Sequence, residues 1–259
     1  ERHMLNQLFD LTGRTALVTG GSKGIGKSIA RGYAEAGANV VITARHEDEL
    51  QAACAEIGDG LDVQVAYRLC EMTDRAQCDD MIRSVQDEFP TVDILCNNAG
   101  SNAPQPLVDI NDADWDRVLE LNFTSCMRLA RGFAPAMIEQ KWGRILHISS
   151  IMALTSAAGR GIYSGTKAAL VGTTRAHAIE LGPHGVTVNC LAPGPIATDM
   201  LMTMLSPEQR AGFCDRASLK RLGETTEMVG PALLLSSDAG SYITGAVLVV
   251  DGGVICRSF

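Results

Sequence analysis

Tyr163 and Lys167 stand four residues apart in IYSGTKAAL, a stretch with helical character. Side chains so spaced share one helix face, which lets an ammonium sit beside a phenol. A free tyrosine titrates near ~10, too high for efficient proton transfer at neutral pH, and each unit of lowering corresponds to roughly 1.4 kcal/mol of preference for phenolate. A fixed nearby cation supplies such a preference. The pair reads either as an acid/base with its tuner or as a helix-face tyrosine packed on a lysine stem, and only the surrounding motifs decide.

A second stretch, LVTGGSKGIG at 17–26, places Gly20, Gly24 and Gly26 between an apolar run and a helical pattern. Glycines there permit a tight turn and let the backbone approach a pyrophosphate, whose charge the following helix N-terminus favours. Such a turn can also serve packing alone, and its spacing departs from the G-x-G-x-x-G dinucleotide fingerprint. Metal chemistry is not indicated. The eight cysteines (54, 70, 78, 96, 126, 190, 214 and 256) form no C-x-x-C pair and the five histidines no H-x-x-x-H pair, so small buried thiols and no metal are expected.

These residues need a scaffold, and the hydrophobic pattern supplies one. Apolar, β-rich runs recur at 15–19, 39–43, 62–69, 93–97, 143–149, 186–192 and 246–250. Helical periods lie between most of them, as in IGKSIARGYAEAG, where Ile25, Ile29 and Tyr33 share a face and Gly37 marks the end. Alternation of this kind means βαβ units, and near-continuous apolar strands mean a parallel sheet covered on both faces. The fold class expected is α/β. The longest helical pattern runs from Asp112 to Lys141, with a kink or break expected at Pro135. Residues 195–224 fit neither period and read as a lid over a site or as a peripheral helix pair. No linker or repeat divides the chain, so a single domain over 5–259 is expected, with ERHM at the start resembling an expression remnant.

Composition narrows the partners. Hydrophobic residues make up 46% and charged residues 20%, a globular balance, and the formal charge of −8 disfavours a nucleic-acid partner. No signal-like start and no apolar run of spanning length appears, so a cytoplasmic protein without membrane partners, acting on a small molecule, is expected.

The glycine turn, read as T-G-x-x-x-G-x-G at 19–26, resembles the glycine motif of the short-chain dehydrogenase/reductase family in its shorter branch. NNAG at 97–100, Asn122 in the long helix, Ser150 thirteen residues before Tyr163, and Y-x-x-x-K ending at Lys167 match further motifs of that family. APGPIAT at 192–198 and YITGAVLVVDGG at 242–253 resemble its late motifs, so the likeness spans nearly the whole chain.

The resemblance implies a doubly wound Rossmann-type fold with a seven-stranded, mostly parallel sheet. It implies a catalytic set of Asn122, Ser150, Tyr163 and Lys167. Tyr163 would exchange the proton, Ser150 would hydrogen-bond the same substrate oxygen, and Lys167 would tune the tyrosine and hold the nicotinamide ribose. Asn122 would position a water linking Lys167 to solvent. Ser149 is an alternative partner that the thirteen-residue interval disfavours.

Cofactor contacts implied are Gly20, Ser22, Lys23, Gly24, Ile25 and Gly26 in the turn, Asn98, Ala99 and Gly100 after the fourth strand, Tyr163 and Lys167, and Pro193, Gly194, Ile196 and Thr198 in the late motif. Glu71 and Met72 would lie against the adenine, although Glu71 departs from the usual Asp or Asn. NAD-preferring relatives carry an acid near the end of the second strand, whereas this chain reads VITARHE, with Ala44 there and Arg45 next. Arg45 and Lys23 would suit a 2′-phosphate, so NADP(H) is the cofactor expected.

For substrate the likeness extends to 3-oxoacyl-carrier-protein reductases and to sugar-acid dehydrogenases such as gluconate 5-dehydrogenases. Substrate contacts are expected from loops 101–107 and 151–161 and from the segment 195–215; the first two contain one charge, Arg160, which suggests a mainly apolar or neutral ketone. A homotetramer or homodimer is implied, with Phe123, Met127, Phe133, Ala168, Leu170 and Val171 as face residues that core packing explains equally well. Two rivals carry less. A non-catalytic dinucleotide sensor would be expected to lack one of Ser150, Tyr163 or Lys167, and a sugar-nucleotide epimerase would have a different glycine spacing and a larger C-terminal region.

Overall fold

The computed structural model describes residues 4–256. Seven strands form one sheet: β1 (Thr15–Thr19), β2 (Asn39–Ala44), β3 (Val65–Leu69), β4 (Ile94–Asn97), β5 (Gly143–Ile148), β6 (Val186–Pro193) and β7 (Val247–Val250). Their order is β3-β2-β1-β4-β5-β6-β7, and every pairing is parallel. All positions of β1, β4, β5 and β6 are buried, as central strands of a sheet covered on both sides must be. The third strand begins at Val65, later than the apolar pattern from 62 suggests. Pairing with β2 starts at Val40–Val65, and the Gln64 N–H instead donates to Asn39 Oδ1.

Helices cover the two faces. After a short α1 (Met4–Leu8), α2 (Gly24–Glu35) and α3 (Glu47–Gly58) lie on one face. Ile29 and Tyr33 pack there with Leu50, Val18, Ile42 and Leu146. On the other face α4 (Arg75–Glu88), α6 (Ser125–Glu139) and α7 (Gly161–Leu181) meet the sheet through residues such as Val85, Phe133 and Ala178, and α5 (Asp112–Leu119) packs against α7. Two short helices, α8 (Asp199–Met204) and α9 (Pro207–Arg216), follow β6, and α10 (Val229–Ser236) returns to the first face. This is a doubly wound Rossmann-type architecture. Strand order reverses between β1 and β4, which opens a crevice at their carboxyl ends.

The long helical pattern is interrupted where the sequence did not signal it. Glu120–Thr124 form a π turn between α5 and α6, whereas Pro135 is carried inside α6 without ending it. The π turn loosens the carbonyl ladder, and side chains fill in: Ser125 Oγ donates to the Leu121 carbonyl at 2.7 Å and Cys126 Sγ to that of Asn122 at 3.5 Å. At Pro135 the loss of one N–H is offset by packing on either side, because Phe133 and Met137 are fully buried.

Of the residues considered for subunit faces, Phe133, Leu170 and Val171 belong to the protomer core, Phe123 and Met127 are half-buried, and Ala168 is exposed. Cys70, Cys78, Cys96, Cys126 and Cys190 are buried thiols, whereas Cys256 is exposed. Among the described residues no helix is long and apolar enough to cross a membrane.

Candidate active site

A cavity of about 460 Å³ opens at the carboxyl ends of β1, β4, β5 and β6. The glycine turn forms one end. Gly20 and Gly24 hold φ of 63° and 54°, values that disfavour any side chain. Gly26 is needed for a different reason: a Cβ there would collide with the Gly20 carbonyl oxygen and Asn98 Nδ2. Gly26→Ala is therefore expected to yield protein with a melting temperature lowered by several degrees and with dinucleotide affinity lost, checked by thermal unfolding with and without NADPH.

The helix that follows is open to an anion. At α4 and α5 the first-turn N–H groups are taken by Asp74 and Asn111. At α2 the N-cap Lys23 makes no such bond, which leaves the first-turn N–H groups and the positive end of the helix dipole facing the cavity. A glycine cradle on an uncapped helix start fits a dinucleotide pyrophosphate. Asn98 braces this cradle: its Nδ2 donates to the carbonyls of Thr19 (2.8 Å) and Gly20 (3.2 Å). Thr19 Oγ1 accepts from the backbone of both Asn98 and Ala99, a bracing role that the sequence reading missed.

At the other end Ser150, Tyr163 and Lys167 line the same cavity. Lys167 is 4% exposed, and its Nζ donates to the Ile148 carbonyl at 2.7 Å and lies 5.7 Å from the centroid of the Tyr163 ring. A buried ammonium held by one carbonyl, with no carboxylate in bonding contact among the described residues, is costly to keep unless it serves the site.

The two serines are now distinguishable. Ser149 donates its hydroxyl to the Lys167 carbonyl at 3.0 Å, so that proton is spent on α7. Ser150 Oγ accepts from the Met152 N–H at 3.1 Å, which leaves its own proton for a ligand oxygen. His147, one residue before Ile148, is fully buried, and burial pushes it down to about 3, so the imidazole is neutral beside the site.

Asn122 is buried in the π turn and does not line the cavity. Both its N–H donors are committed, to the Ser101 carbonyl (2.9 Å) and Thr166 Oγ1 (3.1 Å), and its Oδ1 accepts from Ser101 N–H at 2.9 Å. The amide therefore ties the loop after β4 to the residue preceding Lys167.

Of the cofactor contacts named from sequence, Gly20, Lys23, Gly24, Ile25, Gly26, Asn98, Ala99, Gly100, Tyr163, Lys167, Pro193, Gly194, Ile196 and Thr198 line the cavity. Ser22, Arg45, Glu71 and Met72 do not. Met72 is 4% exposed and belongs to the core. Glu71 Oε1 accepts from both the N–H and the hydroxyl of Thr73, while its Oε2 lies 3.5 Å from Arg45. Lys23 is likewise held by Glu49 at 2.7 Å, and that contact is the main reason its ammonium is held above the usual lysine value.

The segment after β6 contributes Leu201, Leu205 and Phe213 to the wall, and Met152 and Arg160 come from the loop after β5. The sequence reading placed these segments near substrate but could not say which side chains turn inward.

Residues 20–255 match the protein family described as Enoyl-(Acyl carrier protein) reductase. A 3-oxoacyl-[acyl-carrier-protein] reductase of Escherichia coli is 38% identical over 246 residues, spanning 95% of this chain and 99% of that protein. Gluconate 5-dehydrogenase of Gluconobacter oxydans is 35% identical over 249 residues, spanning 95% and 96%. Among solved structures, L-sorbose reductase from Gluconobacter frateurii, complexed with NADPH and L-sorbose, is similar with a TM-score of 0.91 at 31% identity, covering 96% of this chain and 99% of that one.

Proposed function

The chain belongs to the short-chain dehydrogenase/reductase family, and from that premise we propose that this oxidoreductase moves hydride reversibly between NADP(H) and a ketone or secondary alcohol, with Tyr163 as general acid/base. The observation that carries the reading is the convergence of Ser150, Tyr163 and Lys167 on a cavity whose far end is an uncapped, glycine-lined helix start. The relatives divide between 3-oxoacyl thioesters and gluconate, and the apolar wall of Met152, Leu201, Leu205 and Phe213 is compatible with an acyl chain.

When bound, reduced nicotinamide supplies the hydride. The chain's own residues handle the oxygen on which charge then grows. Ser150 donates its uncommitted proton in a hydrogen bond to that oxygen, and Tyr163 transfers its proton to it. Lys167 keeps a buried positive charge beside the Tyr163 ring. Asn122 acts as a positioning residue, holding the Ser101 loop against Thr166 beside Lys167. In the oxidative direction Tyr163 takes the proton back. The test is NADPH consumption with a panel of oxoacyl thioesters, keto-sugar acids and bulky ketones; no turnover of any of them by protein that binds NADPH sinks the reading.

The preference for NADP(H) is assigned to Arg45 and Lys23, and both are engaged by carboxylates that a 2′-phosphate would have to displace. The cationic member of each pair is exposed, so the cost of displacement is small. Arg45→Ala is expected to raise the KM for NADPH on the order of 10-fold, with little effect on NADH. Equal effects on the two cofactors would remove Arg45 from the assignment.

The working unit is read as one NADP(H)-binding domain acting in the cytoplasm as a homotetramer or homodimer, with half-buried Phe123 and Met127 and exposed Ala168 available to a second copy. Light scattering tests the assembly.

A further inference from the structure

The cavity wall holds a charge that the hydride-transfer scheme does not use. Arg160 lines the cavity at the N-cap of α7, three residues before Tyr163. Among the described residues its guanidinium has no hydrogen bond or ion pair. The other ionic groups on the wall are accounted for. Lys23 is held by Glu49, Lys167 is buried against the Ile148 carbonyl, and Asp199 belongs to the glycine-turn end, where its charge acts on Lys23.

The backbone under Arg160 is fixed. Its N–H donates to the Ala157 carbonyl at 3.1 Å and its carbonyl accepts from Ser164 N–H at 2.8 Å. The Gly159 carbonyl accepts from Gln105 N–H at 3.0 Å, and the Ser156 and Ser164 hydroxyls meet at 2.8 Å. The loop thus anchors the side chain's base while leaving its planar fork unspent.

An uncharged substrate filling this cavity would replace the guanidinium's water with neutral hydrogen bonds at most and leave its charge uncompensated. A carboxylate would replace that water with two parallel charge-assisted hydrogen bonds. We infer that the substrate is an oxo acid, and its product the matching hydroxy acid, with Arg160 binding the carboxylate while Ser150 and Tyr163 hold the carbonyl oxygen. This rests on the carbonyl-reductase reading and reverses the expectation of a neutral ketone drawn from loop composition.

The test uses two probes that differ only at one terminus, 5-keto-D-gluconate with a carboxylate and L-sorbose with a hydroxymethyl group. A phosphate-free thioester, acetoacetyl-N-acetylcysteamine, is the third. With NADPH, the full-length enzyme is expected to show at least a 10-fold higher kcat/KM for the acid than for L-sorbose. Arg160→Gln should shrink that ratio by 10- to 100-fold, mainly through the KM of the acid, and Arg160→Lys should retain part of it.

An acid-to-neutral ratio that Arg160→Gln leaves unchanged overturns the inference while the proposed function stands, as does a preference for the thioester over the acid. If none of the three is reduced although NADPH binds, the proposed function fails separately. Calorimetry of 5-keto-D-gluconate with the enzyme–NADP complex then decides: binding that Arg160→Gln abolishes supports Arg160 as a carboxylate site, and equal or absent binding in both proteins rules it out.

Discussion

Tyr163→Phe is expected to lower kcat by about 10²- to 10⁴-fold, the usual worth of a positioned acid/base, while leaving the fold and the affinity for NADPH in place. The substitution removes one oxygen from a ring on α7 whose hydroxyl makes no hydrogen bond within the described residues, so the native structure loses little. The carbonyl oxygen loses its proton donor, and Ser150 can still hydrogen-bond but has no base to reprotonate it. Stopped-flow mixing of NADPH-loaded enzyme with a reactive ketone separates binding from chemistry. Near-normal turnover with intact NADPH affinity would take tyrosine out of the mechanism.

The second large effect is expected at Lys167. Met has nearly the same length without the charge, so Lys167→Met should cost about as much in kcat as Tyr163→Phe, on the order of 10³-fold. The double variant should be hardly worse than either alone, because groups that act as a unit are not additive. Stability should move the other way. The ammonium is buried at 4% exposure with a single carbonyl for company, and replacing a buried charge by an apolar group of similar volume is often neutral or stabilising. An unchanged or raised Tm together with collapsed turnover is therefore the signature that separates a functional lysine from a structural one. A large fall in Tm, with activity lost only in proportion to unfolded protein, would mark Lys167 as a packing residue.

Much of the site was legible beforehand because it is local. The glycine turn at 19–26 and the Tyr163–Lys167 pair depend on spacings of a few residues, which a helix or a tight turn converts directly into geometry. The apolar runs predicted seven strands because central parallel strands are buried on both faces and tolerate little else. Their ends were less legible. The edge strand β3 starts three residues late, since pairing with β2 rather than its own alternation sets where it begins.

What stayed hidden involves partners distant in sequence. Ser149 and Ser150 are chemically identical in sequence, and only the approach of the Lys167 carbonyl to Ser149 spends one proton and spares the other. The π turn that buries Asn122 depends on hydroxyl and thiol caps that compete with the regular ladder. No sequence period reports that competition.

By itself, then, the chain's sequence determined the layered α/β scheme, the glycine turn at 19–26 and the helix that carries Tyr163 and Lys167, because hydrophobic period and short spacing act through the backbone alone. The tertiary structure decided which charges are already neutralised and which are left for a ligand. Glu49 and Glu71 reach Lys23 and Arg45 across 26 residues each, whereas no carboxylate among the described residues reaches the Arg160 guanidinium. Charge pairing depends on distance in space, and that distance is set only when the sheet brings separate loops to one edge.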